Sequence, residues 1–270
     1  MNRILNMMRY EIRIHWRRRG LRVMIISYAL IMLVAIVQTI SAVGLSELIA
    51  AGGLSSIEGT TGTEWMLLVT WTLTSGPLAF LMPLVLADAI PYDKQVGMSE
   101  LLKSLPMSYP QYLLGKSFGA TGALCLGVIG VLLIFAVPWW FIAGSYDVSV
   151  FLAMTLLAVP ALAVINTMLV VLAAAGQPSA FRGLLIGIGL LIVLPVVIRL
   201  SHDNLIAFLL PSRGPMLSLY GPSINTGYML FGHPVEGATA YIANVIIGLI
   251  EITAVFGIVV GWRQIKENNT

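Results

Sequence analysis

Long apolar stretches separated by short polar ones run the length of the chain. Six of them, at Val23–Val43, Trp65–Ala87, Leu113–Ala143, Val150–Ala175, Leu184–Leu200 and Ala238–Trp262, carry few charges. A helix needs roughly 17–25 mainly apolar residues to cross a bilayer, so the pattern predicts six transmembrane helices forming one all-α membrane domain over residues 1–270. The third and fourth runs exceed that length, which implies tilt or an interfacial turn. Pro77, Pro83, Pro138, Pro160 and Pro195 fall in or near the runs, where neighbouring helices satisfy the backbone groups a proline frees. Gly127, Gly130, Gly183, Gly187, Gly189, Gly257 and Gly261 put small residues on helix surfaces, as close helix approach requires.

Residues 1–20 follow a different pattern. Met1, Ile4, Leu5, Met8, Ile12 and Trp16 share about a third of a helical wheel, and Asn2, Asn6, Arg9, Arg13 and Arg17 lie opposite. This predicts a helix lying in the interface, its apolar face in the acyl boundary and Arg9, Arg13 and Arg17 toward lipid phosphate, with Trp16 at the edge.

Composition agrees with a membrane protein. The chain is 58% hydrophobic and 10% charged, with a mean hydropathy of +0.93, against about 25% charged in soluble domains. No large extramembrane domain fits between the runs. The lone Cys125 excludes an intrachain disulfide and a cysteine-based metal site. The run after Arg22 is long enough to span and no small-residue cleavage site follows it, so a retained helix is expected rather than a signal peptide. In the six-span arrangement Arg3, Arg9, Arg13, Arg17, Arg18, Arg19, Arg22, Lys94, Lys103, Lys116, Arg182, Arg263 and Lys266 share one side, and only Arg199 and Arg213 the other. The positive-inside rule then places both termini in the cytoplasm, in a multi-pass protein of the cell membrane.

Between the second and third runs, residues 88–112 form the largest loop on the basic side. Met98, Leu101, Leu102 and Leu105 recur at i, i+3, i+4 and i+7, giving a short helix with one apolar face turned away from Glu100 and Lys103. Pro106 ends it. Ser108 is an N-cap candidate, with Pro110 in the first turn of a second helix that leads into span three. A small amphipathic helix beneath the bilayer needs a surface for its apolar face, and a cytosolic protein supplies one.

In this stretch the sequence resembles the permease subunits of ABC-2-type ATP-binding-cassette exporters. The resemblance rests on Asp88 leaving span two, then Asp93, Lys94, Gly97, Ser99-Glu100-Leu101-Leu102, Ser104-Leu105-Pro106, Ser108 and Tyr112-Leu113-Leu114-Gly115-Lys116. Six spans, cytoplasmic ends and the N-terminal interfacial helix extend it loosely to the whole chain. It implies that the loop is the coupling helix seated in a cleft of the nucleotide-binding subunit, with Asp93, Lys94, Gly97, Met98, Glu100, Leu101, Leu102, Leu105 and Pro106 at the contact. The chain has no G-x-x-x-x-G-K-[ST] loop; Gly115-Lys116-Ser117 ends like one, but Pro110 stands where its first glycine belongs. ATP and Mg are therefore expected on a separate ATPase. A half transporter of this kind pairs two permease chains, identical or related, with two ATPase chains, and no cofactor is expected on this chain.

Glu251 falls near the middle of the last run, where an ionisable group faces protein or a wet cavity. Two readings stand: a pathway-lining carboxylate sharing a polar seam with Asn244 and Asn166, or a structural hydrogen bond to Asn166, Gln38 or a dimer mate. Residues 201–235 include an apolar piece too short to cross, and the resemblance implies a re-entrant or interfacial segment there, outside the cell. His202, Asp203 and His233 are too scattered for a metal site. Two other classes compete with an exporter permease. A secondary transporter would show inverted repeats and several buried charges, and an intramembrane enzyme would need paired catalytic groups at membrane depth.

Overall fold

The computed structural model describes residues 2–53, 62–63, 66, 69–70, 73–74, 84–97, 108–189, 228–230, 233–235 and 237–268. Among these the fold is helical apart from one short hairpin. Helix α1 (Asn2–Arg17) leads into α2 (Arg19–Val43), and α3 (Leu45–Ala51) follows. Then come α4 (Ala89–Gln95), α5 (Tyr109–Ala143), α6 (Val148–Ala175) and α7 (Ala180–Gly189). Strands β1 (Tyr228–Leu230) and β2 (His233–Val235) pair antiparallel, with Met229 opposite Pro234, before the final helix α8 (Gly237–Asn268).

Among the described residues, four helices are long and apolar enough to cross a membrane: α2, α5, α6 and the Gly248–Ile265 part of α8. They match the first, third, fourth and sixth apolar runs. The second and fifth runs fall partly outside the described residues, as do 201–227 of the segment expected to be re-entrant. The described residues are overwhelmingly helical, as expected; the hairpin's three-residue strands, one containing Pro234, are too short to show a period-2 signal.

Sequence chemistry sets the ends of α5. Ser108, extended at φ −73° and ψ 154°, is its N-cap and donates its backbone N–H to Gln111 Oε1 at 3.3 Å, with Pro110 in the first turn. Gly144 ends it at φ 89°. The helix continues through Pro138 for 35 residues, about 52 Å, well beyond the ~30 Å of a hydrocarbon core. Near its C-terminal end Trp139 is fully buried in the bundle and Trp140 is exposed. Helix α6 absorbs Pro160 differently. A π turn at Met154–Ala158 precedes it, accommodating the Leu156 carbonyl that the proline deprives of a donor.

The core lies where α2 and α6 pack on α5. Leu21, Met24, Tyr28, Met32 and Ile36 form one stripe of α2 and are buried. Within it, Tyr28 shares a 2.7 Å hydrogen bond with Thr74, which also donates to the Thr70 carbonyl. A satisfied hydroxyl pair can be buried here without an orphaned polar group.

The interfacial helix sits otherwise than its wheel suggests. Ile4, Met8 and Ile12, expected in the acyl boundary, lie against α5, where Gly115 and Gly119 leave room for α1 to approach. Side chains at those glycines would collide with Met7, Met8 and Glu11. Among the described residues of the apolar arc, only Leu5 and Trp16 are left exposed, beside Arg9, Arg13 and Arg17. Gly115 and Gly119, one turn apart on α5, form the surface on which this face of α1 packs.

Candidate functional site

The described helices define two poles. At one, α2 and α5 begin, α6 and α8 end, and α1 and α4 gather around them. This pole carries the basic residues among those described and a buried cluster of ionisable side chains.

Lys116 sits at its centre, 2% exposed, held by α5 one turn beyond Tyr112. Its Nζ is hydrogen-bonded and ion-paired to Asp93 of α4 and lies 3.5 Å from Glu11 Oε1 of α1. Tyr112 Oη donates to the same Asp93 oxygen at 2.6 Å. His15 Nε2 approaches Glu11 Oε2 to 3.4 Å at helical i, i+4 spacing, and both residues are buried. Two carboxylates share one ammonium, so three elements distant in sequence meet at a single charge. Buried ions persist only when paired in this way.

Burial opposes ionisation of Glu11, but His15 and the positive charges of Lys116 and Arg18 outweigh it and hold the carboxyl below its ordinary 4.5. A depressed carboxylate pKa adds stability above the unfolded value and loses it as the pH falls through the lower, folded one. Thermal melts between pH 7 and pH 3 are thus expected to show native protein losing stability below about 4.5. Glu11→Gln should flatten that limb; an unchanged acid limb would show that Glu11 is not ionised in the fold.

Lys94, next to Asp93, points the other way. Its Nζ donates to the carbonyl of Ala175 and, at 3.2 Å, to that of Gln177, at the C-terminal end of α6. A cation there meets the carbonyls a helix end leaves without partners. Arg18, in the bend between α1 and α2, completes the surround: it lies 3.8 Å from Asp88 and 5.6 Å from the centre of the Tyr92 ring. Arg263 of α8 stacks 3.9 Å over Tyr109 at the start of α5. Thus the turn-and-helix stretch 88–95 is bolted to α5 by Asp93, to α6 by Lys94 and to the α1–α2 bend by Asp88 and Tyr92.

Of the residues expected to face an ATPase, Asp93 and Lys94 are brought together with partners that sequence reading did not supply. Gly97 follows α4 at φ 77°, a left-handed conformation suited to glycine, and a Cβ there would meet open space. Met98, Glu100, Leu101, Leu102, Leu105 and Pro106 lie outside the described residues. Glu11, His15, Tyr112 and Lys116 were missed as a site. The available signal was a Glu and a His one turn apart on the arc that carries Ile4 and Met8, where charge is out of place.

The polar residues named for the last span are only partly among the described side chains. Asn166 is buried, but its Nδ2 donates to Leu162 O of its own helix at 3.1 Å. Gln38 is exposed on α2. Glu251 is half-buried on α8, and its Oε2 has no hydrogen-bond partner among the described residues. Asn244 is on the same helix, its side chain outside the described residues.

The opposite pole has a different character. An open cleft of about 420 Å³ there is lined by apolar side chains, among them Ile36, Ile40, Trp140 and Phe141. Asp147 caps α6 by accepting from the Ser149 N–H at 2.8 Å, and its own N–H donates to Thr63 Oγ1 at 2.9 Å.

No protein-family model matches this sequence, and no curated protein matches it either.

Proposed function

We propose that the chain is the permease subunit of an ATP-binding-cassette exporter, working as a pair with a second permease chain and driven by a separate cytoplasmic ATPase that binds ATP and Mg. The observation that carries this reading is the bolting of residues 88–95. Asp93 and Lys94 fix the stretch to α5 and α6 at once, directly ahead of the amphipathic 98–105 sequence. A lever moves a bundle only if its base does not give, and packed, ion-paired elements shift as rigid bodies. Force on 98–105 from a partner would pass through this base to two membrane helices.

Six crossings are supported by where the described helices end. Gly53, beyond α3, meets the backbone of Gly144 at the far pole, whereas Gly20 meets Val85 at the basic pole. The chain from 53 to 85 therefore changes pole. Helix α6 ends at the basic pole with Lys94 and α8 ends there with Arg263, so the chain between them returns as well. The basic pole is then cytoplasmic and both termini lie on that side of the cell membrane.

The test is biochemical. The tagged chain, purified under mild conditions from its native host, should bring an ATPase with it. Leu102→Asp should reduce ATP-stimulated transport about tenfold or more at unchanged yield, since a charge forced into a desolvated contact costs over ~1.4 kcal/mol. Purification free of any ATPase, or a Leu102→Asp protein that transports normally, sinks the proposal.

A further inference from the structure

Helix α1 has one face spoken for and another that is not. Met7, Glu11 and Ile12 turn their side chains toward α5, and His15 is buried beside Glu11. Round the wheel from them come the exposed Leu5 and Trp16, and next the exposed Arg9, Arg13 and Arg17. No ion pair joins these three arginines to an acid among the described residues; Arg18, one residue on, is the arginine beside Asp88. The helix runs into the membrane-length α2 through the single residue Arg18. An apolar strip bordered by a cationic one, at the end of a membrane span, matches the acyl–phosphate boundary of a leaflet.

We infer that this face is a binding surface for anionic phospholipid. Neutral lipid offers the same acyl chains and phosphate, but no net charge to balance three uncompensated guanidiniums. The exposed apolar surface is also thin, with Leu5 and Trp16 on one side of the arginines and Tyr10 on the other among the described residues, so charge has to contribute much of the attachment. Arg suits this role because its planar fork takes two phosphate oxygens at once. The opposite face of α1 is pinned through Glu11 to Lys116, so headgroups holding α1 also steady the base of the 88–95 stretch. The inference rests on α2 crossing a membrane and not on the identity of any ATPase.

The experiment is native mass spectrometry of the purified chain released from nanodiscs that contain phosphatidylglycerol and phosphatidylcholine in equal amounts. The native chain is expected to retain phosphatidylglycerol preferentially. Arg9→Gln/Arg13→Gln/Arg17→Gln leaves Arg3, Arg18, Arg19 and Arg22 to set orientation, and should lower that preference on the order of 100-fold, at about fivefold per arginine. The matching triple Lys variant keeps the charge and should keep most of the preference. Equal retention of both lipids by the native chain, or an undiminished preference in the triple Gln variant, would overturn the inference and leave those arginines a role in orientation only. Neither readout involves ATP or transport, so its failure is distinct from failure of the exporter reading.

Discussion

Lys116→Met is expected to be the most damaging single substitution at the basic pole. Methionine fills much of the lysine's volume and suits a helix, so the change is electrostatic rather than steric. It leaves Glu11 and Asp93 buried without their shared ammonium. Removing one partner of a buried pair costs about 3–5 kcal/mol, against the 5–15 kcal/mol typical of a whole domain. The variant should accumulate poorly and melt at a lower temperature in detergent. A melting temperature equal to that of the native chain would mean that the cluster is solvated and the pairs contribute nothing.

The same reasoning predicts a rescue. Glu11→Gln/Asp93→Asn/Lys116→Met removes both signs of charge and keeps the volumes, and replacing a whole buried ionic group is often neutral. Melting should therefore return toward the native value, with a large favourable coupling among the three sites. On the exporter reading, transport per ATP hydrolysed should nevertheless fall, because Asp93 no longer ties the 88–95 base firmly to α5. Restored stability with reduced coupling separates a transmission role from a merely structural one.

Much of the bundle was legible because length and apolarity are strong signals that do not depend on tertiary context. The first, third, fourth and sixth apolar runs coincide with helices, and the Ser108 cap with Pro110 fixed the start of α5 to the residue. The placement of α1 was not legible. A helical wheel reports which face is apolar and not what covers it, and Gly115 and Gly119 offered α1 a protein groove in place of lipid. The candidate site divided along similar lines. Asp93 and Lys94 stood out through the loop pattern, whereas Lys116 entered only as an orientation charge and as part of the resemblance pattern, not as a site, and Glu11 drew no notice. Pairing between residues so far apart in the chain leaves no periodic trace, and only the fold brings them to one ammonium. Asn166 was named as a candidate partner of Glu251 without any signal of where its amide turns, and in the fold its Nδ2 donates to the Leu162 carbonyl of its own helix.

At the far pole, Gly53→Ala is expected to be severely destabilising, and its neighbour supplies the control. Gly52 and Gly53 both have positive φ, 77° and 115°, so alanine at either carries a left-handed backbone penalty of about 1–2 kcal/mol. At Gly52 a Cβ would meet nothing within 4 Å, and the penalty ends there. At Gly53 it would stand 2.3 Å from the Gly144 nitrogen and 2.7 Å from the Ala143 carbonyl carbon. Those are backbone atoms at the end of α5, which cannot rotate aside as a side chain can. The loop must lift away, breaking the seam between the α2–α3 end and the α5–α6 turn, and overpacking of this kind adds a further ~1–3 kcal/mol or more. Melts of the two variants should show a modest loss for Gly52→Ala and a loss at least about twice as large for Gly53→Ala. Equal losses would mean that the two backbones do not meet in the folded protein, and would remove the contact by which the chain after α3 is assigned to the pole opposite Lys116.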